Sequence, residues 1–297
     1  MKLRSLSLAL AGLTLVSAGA FAQTFASLDN ITTGYVQNFD TLPSTGTGVA
    51  IPAAGTGAPR VLDLSTINSA LTGFFSIQTG GTGAGGGTAT FVVDNGSSGS
   101  GGPKSLGETG LSDRALGSTA SGTSGTVITA VRIRNNTGAA ISLFGLDFDV
   151  EQYRSATSQA NVFDFSYALV PATLDDATFF ANVAAGTGFT DANIAGLQDG
   201  APTATNDFTS GTVTTNGPLT PPIVSTFRSE INLGANSSGI SLLPGEDIAF
   251  RFVDINNTGN DATFGLDNFR AVPEPASMAA MALGLGALAA RRRRKSA

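Results

Sequence analysis

Residues 144–151 read Phe-Gly-Leu-Asp-Phe-Asp-Val-Glu. Phe144, Leu146, Phe148 and Val150 recur at every second position, and Gly145, Asp147, Asp149 and Glu151 fill the places between them. Successive side chains of a strand point to opposite faces, so this stretch is a strand with one buried and one wet face. The same period runs through 161–169, where Phe163, Phe165, Tyr167 and Leu169 share a side, and through 247–254, where Ile248, Phe250 and Phe252 do. Residues 127–134 place Val131 and Ile133 inward and Arg132 and Arg134 outward, and 89–93 and 264–269 are further candidate strands. Turn signals separate them: Asn95-Gly96, Asn136-Thr137-Gly138, Pro244-Gly245-Glu246 and Asn257-Thr258-Gly259. Only 173–184 reads as a helix. This pattern predicts an all-β fold, an antiparallel jelly-roll-like β-sandwich whose interior takes most of the 19 Phe. The Gly-rich stretches 80–87 and 95–102 read as mobile loops.

The two ends of the chain follow other rules. Lys2 and Arg4 precede an apolar run over 6–16, and Ala20-Phe21-Ala22 offers a small-x-small cleavage site before Gln23. Residues 1–22 are therefore expected to be a secretory signal peptide, handled by the Sec translocon and cut by signal peptidase between Ala22 and Gln23. At the other end, 276–290 is 15 residues without a charge. As a helix it would cover about 22 Å, short against a hydrocarbon core of about 30 Å. The long stems of Arg291, Arg292, Arg293, Arg294 and Lys295 can extend its reach towards the headgroups, and these residues should stay cytoplasmic. A short C-terminal transmembrane helix at the inner membrane is expected. Just before it, Pro273-Glu274-Pro275 should keep the chain extended and exposed. The domain division is signal peptide 1–22, sandwich 23–271 and terminal segment 272–297.

Composition bounds the chemistry. Seven of the 16 Lys and Arg lie in the signal and the basic tail, which leaves nine against 22 Asp and Glu in between, a net charge of −13. Such a body repels nucleic acid. The chain has no Cys, so it forms no disulfide despite the export signal. It has no His, which removes the Ser-His-Asp and Cys-His hydrolases and most zinc sites. The absence of Trp removes the preferred stacking platform of many sugar binders.

The ordered ending of Pro-Glu-Pro, apolar run and basic cluster resembles the PEP-CTERM sorting signal. That resemblance implies a bacterial exported protein whose terminal segment is read by an exosortase, a membrane-embedded protease thought to cut near the Pro-Glu-Pro, with delivery to the cell surface or beyond. The body carries Asn38-Phe39-Asp40-Thr41-Leu42-Pro43, then Ser112-Asp113-Arg114-Ala115-Leu116-Gly117-Ser118, Glu151-Gln152-Tyr153-Arg154, Leu243-Pro244-Gly245-Glu246 and Gly265-Leu266-Asp267-Asn268-Phe269. This series is similar to a group of secreted bacterial β-sandwich regions, with Tyr153 where the group often has Trp. Its implication is one jelly-roll-like domain rather than a particular activity.

The candidate sites are few. Resemblance to carbohydrate-binding jelly rolls implies that Asp40 and Asp267 could hold a structural Ca²⁺; the alternative is that Asp40 caps a turn and Asp267 bonds local backbone. Asp254, Asn256 and Thr258, followed by Gly259, open like a Ca²⁺ loop, but position 12 is Gly265 where a bidentate Glu belongs, and a polar turn explains them as well. Asp147, Asp149 and Glu151 share one strand face at a rise of about 6.8 Å, a spacing within reach of glycosidase chemistry and equally that of a solvated face. Asp113, Arg114, Glu151 and Arg154 are candidates for an ion-pair network across strands. The favoured expectation is a non-enzymatic envelope or extracellular-matrix protein with no cofactor beyond such a calcium. A calcium-stabilised module binding carbohydrate or exopolysaccharide is the alternative, and a carboxylate-only hydrolase the third.

Overall fold

The computed structural model describes residues 25–46, 48–52, 59–81, 89–156, 162–191, 207–209, 217–233, 241–257 and 259–274. The strands begin with β1 (Ala26–Leu28), β2 (Tyr35–Gln37), β3 (Val49–Ile51), β4 (Arg60–Asp63), β5 (Phe74–Thr79), β6 (Ala89–Asp94), β7 (Gly102–Leu106) and β8 (Ala115–Thr119). They continue with β9 (Thr126–Asn135), β10 (Leu143–Ser155) and β11 (Val162–Val170), then helix α1 (Asp176–Ala185). After it come β12 (Thr190–Asp191), β13 (Asp207–Thr209), β14 (Gly217–Asn232), β15 (Asp247–Asp254) and β16 (Thr263–Pro273). One sheet runs β12-β11-β15-β9-β5-β4, with β1 added to β9 and β13 to β11. The other runs β14-β10-β16-β8-β7-β6-β3, with β2 added to β16. The fold is the expected β-sandwich, but its sheets are mixed: β1 lies parallel to β9 and β6 parallel to β7.

The alternation read in 144–151 is what stacks the sheets. Phe148 of β10 reaches across to Phe165 of β11 at 5.5 Å and to Phe252 of β15 at 5.1 Å between ring centroids. Phe269 of β16 meets Phe250 at 5.5 Å, and Phe264 meets Phe163 at 5.5 Å. Edge-to-face and tilted pairs of this kind add to the apolar burial that drives the layers together.

The first sheet is buried on both sides, which the sequence reading did not anticipate. Helix α1 lies over its outer face, and Phe179, Phe180 and Val183 pack on Phe75, Ile77, Ile128, Ala130 and Ala249. The helix starts where Asp175 accepts hydrogen bonds from the Thr178 amide at 2.9 Å and the Thr178 hydroxyl at 2.8 Å. It ends at Gly186 in the left-handed region, φ 72°. The helix explains a correction: Arg132, expected outward, is 1% exposed. Its guanidinium lies 5.0 Å from the Phe179 ring centre, and its Nε donates to Asp247 Oδ2 at 2.6 Å. Arg134 holds the other side of the same carboxylate, Nε to Oδ1 at 2.7 Å.

The stretch 95–102, expected to be a mobile loop, is instead tied down. Asp94 accepts from the amides of Asn95 and Ser98, Lys104 donates to the Ser98 carbonyl, and Gly102 already begins β7. Lys104 Nζ and Asp94 Oδ2 form a fully buried pair at 2.5 Å. Most of 80–87 lies outside the described residues, as do the signal peptide and residues 275–297, with the expected transmembrane segment. Among the described residues no helix is long and apolar enough to cross a membrane.

Candidate functional site

Of the acidic residues of the predicted sites, Asp147, Asp149, Glu151 and Asp267 lie on the outer side of adjacent strands of the second sheet. In β10, Asp147, Asp149 and Glu151 point away from the core, as their alternation requires. Along the adjacent β16 the register slips by one residue: Asp147 faces Arg270, whereas Asp149 faces Asp267. The extra residue is a β-bulge, and next to it Asn268 adopts φ 49°. Such bulges re-aim side chains locally. Here Asn268 Nδ2 donates to Asp149 Oδ2 at 2.8 Å, while Asp267 is 4% exposed.

Asp267 is the unusual group of this face. Among the described residues no donor reaches its Oδ1. Burial, with Glu151, Asp113 and Asp40 nearby, pushes its pKa up to about 8, against a hydrogen bond from the Asn268 amide that pulls it down. The predicted partner Asp40 therefore does come into its electrostatic range. Asp40 follows Phe39, itself at φ 57°, and accepts from Asn38 Nδ2 at 2.5 Å and the Arg114 amide at 3.4 Å. Among the described residues no group of three or more acidic side chains is placed to hold a metal ion.

The three carboxylates of β10 do not converge on a common point. Asp147 pairs with Arg228 at 3.4 Å on an exposed surface, Asp149 accepts from Asn268, and Glu151 accepts from the Tyr153 hydroxyl. Burial holds Glu151 above the usual carboxylate range. A shallow groove of about 360 Å³, part apolar and part charged, is lined by Val36, Asp147, Asp149, Arg228, Asn268 and Arg270.

The ion-pair network expected from Asp113, Arg114, Glu151 and Arg154 is replaced by something else. Arg114 is fully buried and donates to the Ser105 hydroxyl at 3.0 Å, the Ser105 carbonyl and the Glu108 carbonyl at 3.1 Å. Arg154 donates to the carbonyls of Gly96 and Ser97, both at 3.1 Å. Both guanidiniums satisfy loop carbonyls that would otherwise be left unbonded where the loops fold onto the sheet. Sequence reasoning saw the charges and could not see the carbonyls.

The second predicted loop, Asp254 with Asn256 and Thr258, is likewise altered by burial. Asp254 is fully buried at the seam between the sheets and accepts from the Ser118 hydroxyl at 2.7 Å and the Ala120 amide at 2.9 Å through Oδ2. Its carboxyl belongs to the interior rather than to the loop, and burial pushes its pKa up to about 8. Asn256 is half-buried, and Thr258 lies outside the described residues.

The Pro-Glu-Pro is placed differently from expectation. The sheet runs past 271: Pro273 is the last residue of β16, pairs with Phe144 and is buried. The Glu274 amide donates to the Leu143 carbonyl at 2.8 Å. Pro273 is thus part of the sheet, and Glu274 is half-buried and bonded to the sheet's end instead of exposed. Pro275 and the basic stop Arg291–Lys295 lie outside the described residues.

Residues 271–294 match the PEP-CTERM protein-sorting motif. The chain thus carries the signal of an exported, exosortase-sorted protein. No curated protein matches the chain. Among solved structures it is similar to the K3 cleaved adhesin domain of Lys-gingipain from Porphyromonas gingivalis W83, at 11% identity and TM-score 0.27, over 80% of this chain and 95% of that one. A crystal structure determined with a xylogluco-oligosaccharide is similar at 12% identity and TM-score 0.25, over 82% of this chain and 58% of that one.

Proposed function

We propose, with the sorting motif as premise, that this is a non-enzymatic β-sandwich of the bacterial envelope or extracellular matrix, held briefly at the inner membrane and released to the surface by an exosortase. The observation that carries the reading is the motif at 271–294, which begins within the closing strand of the sandwich. A chain without His or Cys, whose outer carboxylates are each engaged with their own neighbours, supports a structural or adhesive role. The test is the intact mass of the mature protein from envelope and culture-medium fractions of the native host. Loss of the residues beyond the Pro-Glu-Pro is expected, together with loss of residues 1–22. A C-terminus still at Ala297, found only in the inner membrane, would sink the processing reading.

A second reading has one observation in its favour. Asp267 Oδ1 is buried without a donor and surrounded by acidic groups, as a cation-binding carboxylate would be. Ca²⁺ takes six to eight oxygens, so Asp267 and Asp40 would need backbone or water oxygens beside them. The adjacent groove, with Val36 beside its charged and amide side chains, would then be the place for an extracellular polysaccharide. In chelator-treated full-length protein, added Ca²⁺ at millimolar levels should raise the melting temperature by several degrees and Asp267→Asn should abolish the rise. An equal melting temperature with and without calcium removes this reading.

A further inference from the structure

The sorting motif of this protein begins inside the closing strand of the sandwich. β16 is an interior strand of the second sheet, flanked along its length by β10 and, over Phe269–Ala271, by β2. Its pairing with β10 continues through Gly145 opposite Val272 and Phe144 opposite Pro273, and the Glu274 amide adds a bond to Leu143. Pro273 lacks an amide proton, yet it sits beyond the last residue paired with β2, where no ladder bond is asked of it. The Glu274 carboxylate lies over Gly145: a Cβ on that glycine would come within 3.1 Å of Oε1. From Glu274 to Ala276, where the uncharged run begins, the chain can span only about 7 Å.

A protease binds its substrate as an extended peptide and needs the backbone donors and acceptors of that peptide for itself. In this fold the Glu274 amide is already spent on the Leu143 carbonyl, and Pro273, which has no amide to donate, is buried opposite Phe144. We propose that the end of β16 is a built-in gate on sorting: Pro273 and Glu274 must unpair from Phe144 and Leu143 before the exosortase can seat the motif, so the rate of processing is set by local fraying of the β10–β16 end. This deepens the sorting reading and rests on it. Fraying of a strand end is the lowest-cost opening a sheet offers. It leaves the pairs from Asp147–Arg270 inwards undisturbed, so the released domain keeps its core.

The absence of cysteine allows a direct test. Gly145 and Val272 are directly opposed in an antiparallel pair, where Cα atoms are about 4.5–5.5 Å apart, inside the range a disulfide accepts. The full-length Gly145→Cys/Val272→Cys protein, oxidised, is incubated with membranes containing the exosortase, and tail loss is followed by intact mass. Tail loss should be about tenfold slower or more than for wild type, since a cross-link suppresses local opening. Reductant should restore the rate of the same protein, and the Val272→Cys single variant should behave as wild type, whereas Gly145→Cys alone reports the effect of moving the Glu274 carboxylate off its 3.1 Å contact. Tail loss from the oxidised protein at the wild-type rate overturns the gate, because the enzyme would then take hold from Pro275 onwards. If wild type itself keeps its tail in those membranes, it is the sorting reading that falls, and the two failures are told apart.

Discussion

Asp247→Ala is expected to lower the unfolding free energy by about 3–5 kcal/mol, the range for breaking a buried ion pair from one side. Asp247 is fully buried and is gripped by two guanidiniums, Arg132 at 2.6 Å and Arg134 at 2.7 and 3.1 Å. Removing it leaves Arg132 inside with Asp176, at 3.3 Å, as its one charged partner among the described residues. The damage should spread to α1, because Arg132 is the link between the central strand β9 and the first turn of the helix. Urea denaturation followed by far-UV circular dichroism measures it; the chain has no Trp, so fluorescence is a poor probe. Asp247→Asn, which keeps acceptor capacity but loses the charge, should fall in between. A loss below about 1 kcal/mol, the value of a surface pair, would show that water reaches the site.

The second large effect concerns pH. Asp254 and Asp267 both titrate at about 8 in the folded protein, against 3.8 ordinarily. Between these values the unfolded chain is ionised while the folded one keeps its protons. The folded state then binds more protons than the unfolded state, so stability falls as pH rises. The contribution is fully present below about pH 4 and is lost progressively up to about pH 8, by about 1 kcal/mol per pH unit for each group in mid-window. Most proteins gain stability over the acidic part of this range as their paired carboxylates ionise. Denaturation midpoints in chelator at pH 5, 6, 7 and 8 should therefore fall steadily. Asp254→Asn and Asp267→Asn each mimic the protonated form, and each should remove its share of the slope. An unchanged slope in both variants would place the protons elsewhere.

These two effects mark where sequence reading stops. The alternation at 144–151 determined β10, its buried face and the aromatic layer between the sheets, because the period of two is a property of the backbone. The strands at 161–169 and 247–254 were legible for the same reason. The ordered ending of Pro-Glu-Pro, apolar run and basic cluster was legible too, since a sorting signal is read as a linear sequence. The tertiary structure decided what lies outside each strand. Arg132 has the sequence signature of a wet face, and only the return of α1 over that face buries it against Phe179 and Asp247. Arg114 and Arg154 look like partners for Glu151 until Ser105 of β7, Glu108 and the turn at 96–97 bring their carbonyls within reach. Asp267 alternates outward like any solvated carboxylate, and a one-residue bulge with the packing around it leaves it buried. Pro273 reads as the start of an exposed tail, but β10 is long enough to pair with it. Periodicity reports which side of a strand a residue takes; burial and charge state depend on what distant segments bring to that side, and no local pattern encodes it.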